Sequence, residues 1–473
     1  MRLAYGNKSQ RQLEPRSLRC PQWRLSVVEM RFATLKPMHP LTKRRQMQRV
    51  VRGLVLFLFC ALLFEVLTIA VAPRLHSGSV LKIAKDSVLL RVRNDSWADM
   101  AQGDLAWRQR PNAIYETTFF QRGVRFIYPP TSLLLFRAWQ AARHLHVRPF
   151  IALKITLLMS LLATCWLAAE FFFSLLPSAI IADSSRAERW QIRASIAALI
   201  LTFLPAINAF FLGQVQTLLN FLMIASALLW LRKCRISPGI LIGLTCWLKP
   251  QMALFLLWGL LRKQWSFTVS LAATVLLGFS ISLAVFGWHN TAEYLTVLQY
   301  LGRHGDALFT NQSLNGLLHR QMHVGSPVTW VYGYPPFNWT IYLATLASSA
   351  IILGAALIVP MLRRMAATPV DFLLFAMATV MASPIAWEHH YGVFFLVFLL
   401  WMPLAFERWP VFLALLGMYL LMTDNWAPVT LLMYSPWTFL ISHVYFGGLL
   451  LFLWTLFGRA SGTECEIYIG KST

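Results

Sequence analysis

Apolar runs of about 18 residues or more recur from position 51 to position 457, more than a soluble fold of this length would bury. In hydrocarbon no water answers a backbone N–H or C=O, so a crossing segment must close its hydrogen bonds within the protein. The runs lack the period-2 alternation of an outer-membrane barrel, which leaves helices. Charged residues make up 13% of the chain and hydrophobic ones 57%, whereas a soluble domain carries roughly 25% charged residues. The expected fold class is all-α, a polytopic transmembrane helical bundle of about twelve spans.

The net charge of +23 would suggest nucleic acid in a soluble protein. Here lysine and arginine gather in short segments between the runs, where they set orientation by the positive-inside rule and can attract anionic headgroups. No basic-aromatic module stands outside the spans, so nucleic acid is not an expected partner. Lys43-Arg44-Arg45 and Arg49 precede the first run and put the N-terminus in the cytoplasm. That run begins too late and is too long for a cleaved signal. Met30 and Met38 are alternative starts to Met1. The six cysteines, Cys20, Cys60, Cys165, Cys234, Cys246 and Cys465, form no CxxC pair and fall outside the outward loops, which argues against a disulfide framework or a zinc site.

Following the basic connectors gives three regions: a basic, disordered cytoplasmic tail at 1–50, a membrane domain at 51–457, and a cytoplasmic tail at 458–473. The spans fall at about 51–72, 150–177, 194–212, 215–231, 238–261 as two short helices, 266–287, 336–361, 370–383, 391–406, 411–423 and 437–457. Outward loops occupy 73–149 and 288–335, and both termini lie inside. The first loop should carry an amphipathic helix over 96–110 and an interface-lying one over 131–147.

The stretch 238–261 has the length of one span, yet Arg232, Lys233 and Arg235 flank one end, Arg262 and Lys263 the other, and Lys249-Pro250 breaks the middle. Proline cannot continue the hydrogen-bond ladder, and the residue before it avoids helical angles. A mid-bilayer lysine costs at least about 2.5 kcal/mol. Two short helices meeting at Lys249-Pro250 keep both basic ends inside and turn the lysine to a cavity that opens outward. Orientation from lysine and arginine alone then collects the polar oddities on one face: the loop Asn94–Asp104 with Asp95, Asp99 and Asp104, then Gln214, Lys249, the Asn311 loop and His389-His390. Polar residues at membrane depth are expensive and mark function.

Taken in order, Tyr128-Pro129-Pro130, Gly213-Gln214, Gly243 with Leu248-Lys249-Pro250, Asn311-Gln312-Ser313 with Arg320, and Ser383-Pro384 with Trp387 and His389-His390 resemble glycosyltransferase family 87 over roughly residues 50–457. The resemblance implies an integral-membrane GT-C-class protein of about a dozen helices. It implies a polyprenyl-phosphate-linked sugar as donor, with mannose the leading candidate, and a catalytic aspartate in the first outward loop. Counting back from Tyr115, Asp99 and Asp95 both fit the spacing of that aspartate, Asp99 being preferred, while Asp104 fits poorly.

The chemistry asks for a carboxylate in any case. Inverting transfer needs a base to take the acceptor hydroxyl's proton as the glycosyl bond breaks. A lipid phosphate leaves readily, so no general acid is required, but its growing charge needs cations or donors. Lys249, Arg320 and Arg125 are the candidates for that phosphate. His389 or His390 would orient the aspartate or touch phosphate, and Gln214, Asn311, Gln312 and Tyr128 would bind sugar or acceptor. No DxD motif is present, and neither a metal nor another cofactor is expected.

The partners expected are the polyprenyl-phosphate sugar, a glycan or glycolipid acceptor, and membrane lipids. The expected place is a bacterial inner membrane with the site facing the periplasm or the outside. A transporter or flippase of lipid-linked glycans, and a polymerase or ligase of them, are the alternatives. A path of charges to both faces and inverted repeats would favour transport.

Overall fold

The computed structural model describes residues 43–71, 79–325, 334–363, 367–423 and 437–458. Most of the N-terminal tail, the C-terminal tail from 459, Cys20 and Cys465 lie outside the described residues. Within them the secondary structure is helical, with one isolated bridge pairing Asn311 and Trp387.

Six helices are long and apolar enough to cross a membrane: Lys43–Val71, Pro149–Leu175, Trp265–His304, Trp339–Leu362, Glu388–Ala405 and Thr438–Gly458. A pair bent by 69°, Arg186–Thr202 with Leu204–Phe211, makes a seventh, and five shorter apolar helices fill the rest. The count expected from sequence was about twelve. Each expected segment coincides with one of these elements, but bends and breaks leave several too short to pass as spans by themselves.

In chain order the helices are α1 (Lys43–Val71), α2 (Val80–Val88), α3 (Asp95–Gln109), α4 (Ser132–Ala141), α5 (Pro149–Leu175), α6 (Ser178–Ala182), α7 (Arg186–Thr202), α8 (Leu204–Phe211) and α9 (Gln216–Leu231). There follow α10 (Ile236–Cys246), α11 (Phe255–Leu261), α12 (Trp265–His304), α13 (Leu314–Gln321), α14 (Trp339–Leu362), α15 (Pro369–Met381), α16 (Phe394–Ala405), α17 (Trp409–Thr423) and α18 (His443–Gly458). The local rules are visible at their starts. Ser185 and Glu188 close a capping box on α7, Thr368 and Pro369 open α15, and Ser313 caps α13.

Burial sorts the helices into layers. Only 22% of the apolar stretch of α1 and of α12 is buried, against 89% of Glu388–Ala405. The first two present their sides to lipid, whereas α15 and α16 form the centre, with every residue of α15 buried. A helix that is apolar all round belongs in such a centre.

The break at Lys249-Pro250 is where the proline puts it. α10 stops at Cys246, Lys249 is extended at φ −138° and ψ 92°, and a 3-10 turn over Pro250–Leu254 leads into α11. Glycines show how the two arms lie. On α10, Gly239 packs against Ser270 and Phe267 and Gly243 against Thr274, and the Trp247 indole then packs against Gly278. The small residues repeat every four positions, which lets the backbones of α10 and α12 approach closely. On the returning arm, Gly259 of α11 meets Thr268 and Phe267, back beside the start of α12. Both arms therefore begin and end at one level of α12. The tip at Trp247–Lys249 lies about 20 Å along it, at 1.5 Å per residue.

Ion pairs gather at the level where those arms end. Arg262 pairs with Asp371 at 2.8 Å, both nearly fully buried, and Arg193 with Glu170 at 2.8 Å. The opposite end carries the polar loops. Expected as one long loop, residues 288–335 are helical in their first part, because α12 resumes after a break at Gly287 (φ 78°, ψ 167°) and runs on to His304. Glycine is the residue that adopts that backbone.

Replacing Gly243 by alanine would put a Cβ 2.5 Å from the Thr274 Cβ. We expect the purified full-length protein to lose about 1–3 kcal/mol of stability, read as a lower unfolding midpoint in detergent.

Candidate active site

The helix that carries the aspartates is fixed at its start by backbone. Arg93 N–H donates to Phe211 O at 2.8 Å and Asp95 N–H to Leu212 O at 3.1 Å, laying the entry to α3 along the end of α8. Gly213 follows at φ +69°, where a Cβ would stand 2.2 Å from Arg93 O, so this close approach admits glycine alone. Ser96 is the hub of the contact. Its hydroxyl accepts from Val215 N–H at 3.0 Å, donates to Gln214 Oε1 at 2.8 Å, and lies 2.9 Å from the Tyr128 hydroxyl. Tyr128 also donates to Gln214 Oε1 at 3.0 Å, and its own carbonyl is held by the Tyr115 hydroxyl at 2.6 Å. Thr131, just beyond, donates to Trp247 O at 2.5 Å and ties the outer loop to the tip of the α10–α11 hairpin.

Asp95 and Asp99 are one turn apart on α3 and share a face. Burial raises the Asp95 carboxyl above its usual range, opposed by a hydrogen bond from Gln214 and the charge of Arg93. Asp99 is raised further, to about 7, first by burial and then by the charge of Asp95, with Arg125 pulling the other way. Asp104 is locked elsewhere, at 2.8 Å from Arg108 and 2.9 Å from Arg137, whose guanidinium lies over Trp107.

A second cluster forms around the hairpin tip. Lys249 Nζ donates to Gln216 Oε1 at 2.7 Å, and Gln216 Nε2 donates to Asn220 Oδ1 at 2.9 Å. The lysine lies within electrostatic reach of both histidines on the 3-10 turn Glu388–Val393. The two histidine rings stand 4.8 Å apart at 86°, each under 6 Å from the Trp387 ring. His389 Nε2 and both ring nitrogens of His390 are buried with no hydrogen-bond partner. Glu388 holds the turn, accepting from Asn208 Nδ2. The Lys249 ammonium, with one N–H from each neutral imidazole, offers hydrogen-bond donors to an anion.

The aspartate and histidine clusters meet through Arg125 and Asp306. Arg125 pairs with Asp306 at 3.3 Å and stacks over Tyr334 at 4.7 Å, and Trp387 Nε1 donates to Asp306 Oδ2 at 3.2 Å. Tyr334 lies within the fields of Arg125, Asp306 and Asp99, and its buried hydroxyl has no partner.

Of the residues expected from sequence, Asp95, Asp99, Arg125, Tyr128 and Gln214 come together, as do Lys249, His389 and His390. Gln214 and Tyr128, however, hold α3 in place instead of facing open space. Arg320, Asn311 and Gln312 stand apart as struts of the second outer loop. Arg320 is buried, with its guanidinium on the carbonyls of Leu308 and Asn311 and on Ser442 Oγ. Asn311 binds the backbone at Asp306, Pro384 and Ala386, and Gln312 that at Phe309 and Ile441. These contacts spend the Asn311 and Gln312 amides on backbone carbonyls, whereas Arg320 keeps a buried Nε–H without a partner. Ser96, Gln216, Asp306 and Tyr334 were missed. Asp306 had a signal, as an isolated acid in a basic chain, while the others had none beyond their neighbours. No group of three or more histidines, cysteines or acids placed to hold a metal occurs among the described residues.

The sequence profile of glycosyltransferase family 87 matches residues 126–384, more than half of the chain. A polyprenol-phosphate-mannose-dependent alpha-(1-2)-phosphatidylinositol mannoside mannosyltransferase of Mycolicibacterium smegmatis is 28% identical over 248 residues, 51% of this chain and 54% of that protein. The chain thus spans about half the length of that curated relative. A protein of the same description from Mycobacterium tuberculosis is 27% identical over 319 residues, 65% of this chain and 69% of its own length. No solved structure matches.

Asp95→Asn removes the neighbouring charge that raises Asp99. The pH midpoint for carbodiimide labelling of Asp99, followed by mass spectrometry, should fall from about 7 by about one unit. An unchanged midpoint would mean that the two carboxylates do not interact.

Proposed function

The chain belongs to glycosyltransferase family 87, and from that premise we propose that it transfers a sugar, mannose, from a polyprenyl phosphate to a glycan or glycolipid acceptor. The protein is an integral membrane protein, and the proposal sets the reaction on the extracytoplasmic face of a bacterial inner membrane. The two mycobacterial relatives are described as polyprenol-phosphate-mannose-dependent enzymes acting on phosphatidylinositol mannosides. They support the donor class, and they leave the acceptor here to a glycan or glycolipid.

The observation that carries the reading is the placement of Asp99 on the outer-loop helix, one turn from Asp95 and within the field of Arg125, which Asp306 joins to the Trp387–histidine turn. Its carboxyl, raised to about 7, matches what a base working near neutrality requires. The reaction then runs in one displacement. Asp99 takes the proton of an acceptor hydroxyl, whose oxygen forms a bond to the anomeric carbon. The bond from that carbon to the lipid-phosphate oxygen breaks, and the electron pair leaves with the phosphate. Lys249 and the unpartnered histidine nitrogens answer the charge that grows there, and Arg125 lies between base and phosphate. Asp95 is the alternative base. Its hydrogen bond from Gln214 makes it the poorer proton acceptor of the two.

With labelled mannosyl polyprenyl phosphate and a membrane glycan extract as acceptor, Asp99→Asn should lower turnover by about 10²–10⁴-fold while leaving donor affinity within about twofold. Wild-type activity should rise with pH through about 7, as Asp99 ionises and is lost below that value. Near-normal transfer by the variant would refute the assignment of the base. A wild-type protein that carries the lipid across vesicles with its sugar bond intact would be a flippase.

Lys249→Gln keeps the bulk and removes the charge. It should raise KM for the donor by about tenfold or more in the same assay. An unaltered KM would remove Lys249 from the phosphate site.

A further inference from the structure

Nothing in the reaction as written uses Asp306, yet it is buried to 3% exposure in the second outer loop and takes three contacts. Its Oδ2 pairs with Arg125 at 3.3 Å and accepts from Trp387 Nε1 at 3.2 Å, so one oxygen joins the two clusters. Oδ1 accepts from Leu308 N–H at 3.1 Å, and the Asp306 N–H donates to Asn315 Oδ1 at 3.2 Å. Gly305 before it sits at φ +61°, with a Cβ position 1.8 Å from Asn315 Oδ1, so the loop fits only with glycine there. A carboxylate held this firmly fixes what it binds.

We propose that Asp306 is a positioning residue: it holds Arg125 within electrostatic reach of Asp99 on one side and Trp387, with the histidine turn behind it, on the other. The inference rests on the reading of Asp99 as base. It names a group that sets how strongly that base holds its proton and how far it lies from the donor phosphate.

The groups that bear on Asp99 are few. Asp95 comes from the same helix, Arg125 and Tyr128 from the loop before α4, and Tyr334 from the segment before α14. Arg125 is the cation among them, and Asp306 partly neutralises it. Removing Asp306's charge lets Arg125 act more fully on Asp99, which favours the ionised form and lowers its proton affinity. A loop that merely loosened would admit water to Asp99 whether or not Arg125 were present.

The test is a cycle on the full-length protein in lipid nanodiscs. The Asp99 carboxyl band is titrated by infrared difference spectroscopy and identified by its loss in Asp99→Asn. Asp306→Asn should lower the midpoint by about half a unit or more, and Arg125→Gln should raise it. In the Arg125→Gln background, Asp306→Asn should produce less than half of its own shift. Asp306→Glu, which keeps the charge, should stay near wild type and guards against a variant that fails to fold. No shift in Asp306→Asn, or a shift as large without Arg125, overturns the proposal. The acid limb of kcat for sugar transfer should move with the midpoint. If the midpoints behave as stated but wild-type protein transfers no sugar, the reaction assignment falls and the role of Asp306 stands.

Discussion

Lys249 Nζ donates to Gln216 Oε1 at 2.7 Å, at the tip where α10 gives way to the turn before α11. A half-buried ammonium in a hairpin between membrane helices is expensive unless polar partners answer it. Much of the arrangement around it follows. The helix has to break to present the lysine, and Pro250 breaks it. The two arms need a partner close enough to lean on, which the glycines of α10 and α11 supply against α12. The tip has to be covered, and the outer loop covers it through Thr131 on the Trp247 carbonyl. The aspartate-bearing loop is thus attached to the lysine by construction, through Tyr128-Pro129-Pro130-Thr131.

The same loop is pinned at its other end by Ser96. A small hydroxyl there lets α3 approach the α8–α9 turn, and it answers Val215 N–H, Gln214 and Tyr128 together. Gln214 in turn reaches Asp95. The network explains why two aspartates of one helix, exposed to similar fields, differ. Burial raises both, but at Asp95 a donor from Gln214 and the charge of Arg93 offset part of it, whereas Asp99 has a like charge added to burial and only Arg125 in favour. Two carboxylates whose surroundings push their proton affinities apart are a recurrent way of making one of them a base near neutrality.

How much of this could be read beforehand depends on the kind of signal. Segments that cross lipid announce themselves, because hydrocarbon demands long apolar runs, and each expected segment coincides with an apolar helix or bent pair. The break at Lys249-Pro250 was legible for the same reason, since two strong rules coincide on two residues. Sidedness alone put Asp95, Asp99, Lys249 and His389-His390 at one end, and the structure forms them into two clusters joined through Arg125 and Asp306. Sidedness places a residue at one end of the bundle and says nothing of what its side chain touches. Arg320 and Asn311 show what sidedness leaves open. Both sit in the outer loop as expected, yet a buried loop has carbonyls to satisfy, and those take the guanidinium and the amide. The bend between α7 and α8 was not legible, because composition does not record a 69° turn at Phe203-Leu204-Pro205.

The struts also bear on how the site stays in register. Arg320 holds Asn311 O, Asn311 holds the backbone at Asp306 and at Pro384 and Ala386, and Gln312 N–H donates to Ala386 O at 2.8 Å. The loop that carries Asp306 and the turn that carries Trp387 and the histidines are therefore one hydrogen-bonded unit, completed by the bridge between Asn311 and Trp387. Arg125 is the point at which the aspartate loop meets that unit. A buried ion pair contributes little net stability, since desolvation offsets its attraction, but it specifies geometry strongly because neither charge can stand alone. A base and a phosphate site built on separate loops, some two hundred and ninety residues apart in sequence between Asp99 and His389, need such a fixed joint more than they need added stability. The Arg125–Asp306 pair is of the right kind and lies in the right place to be it.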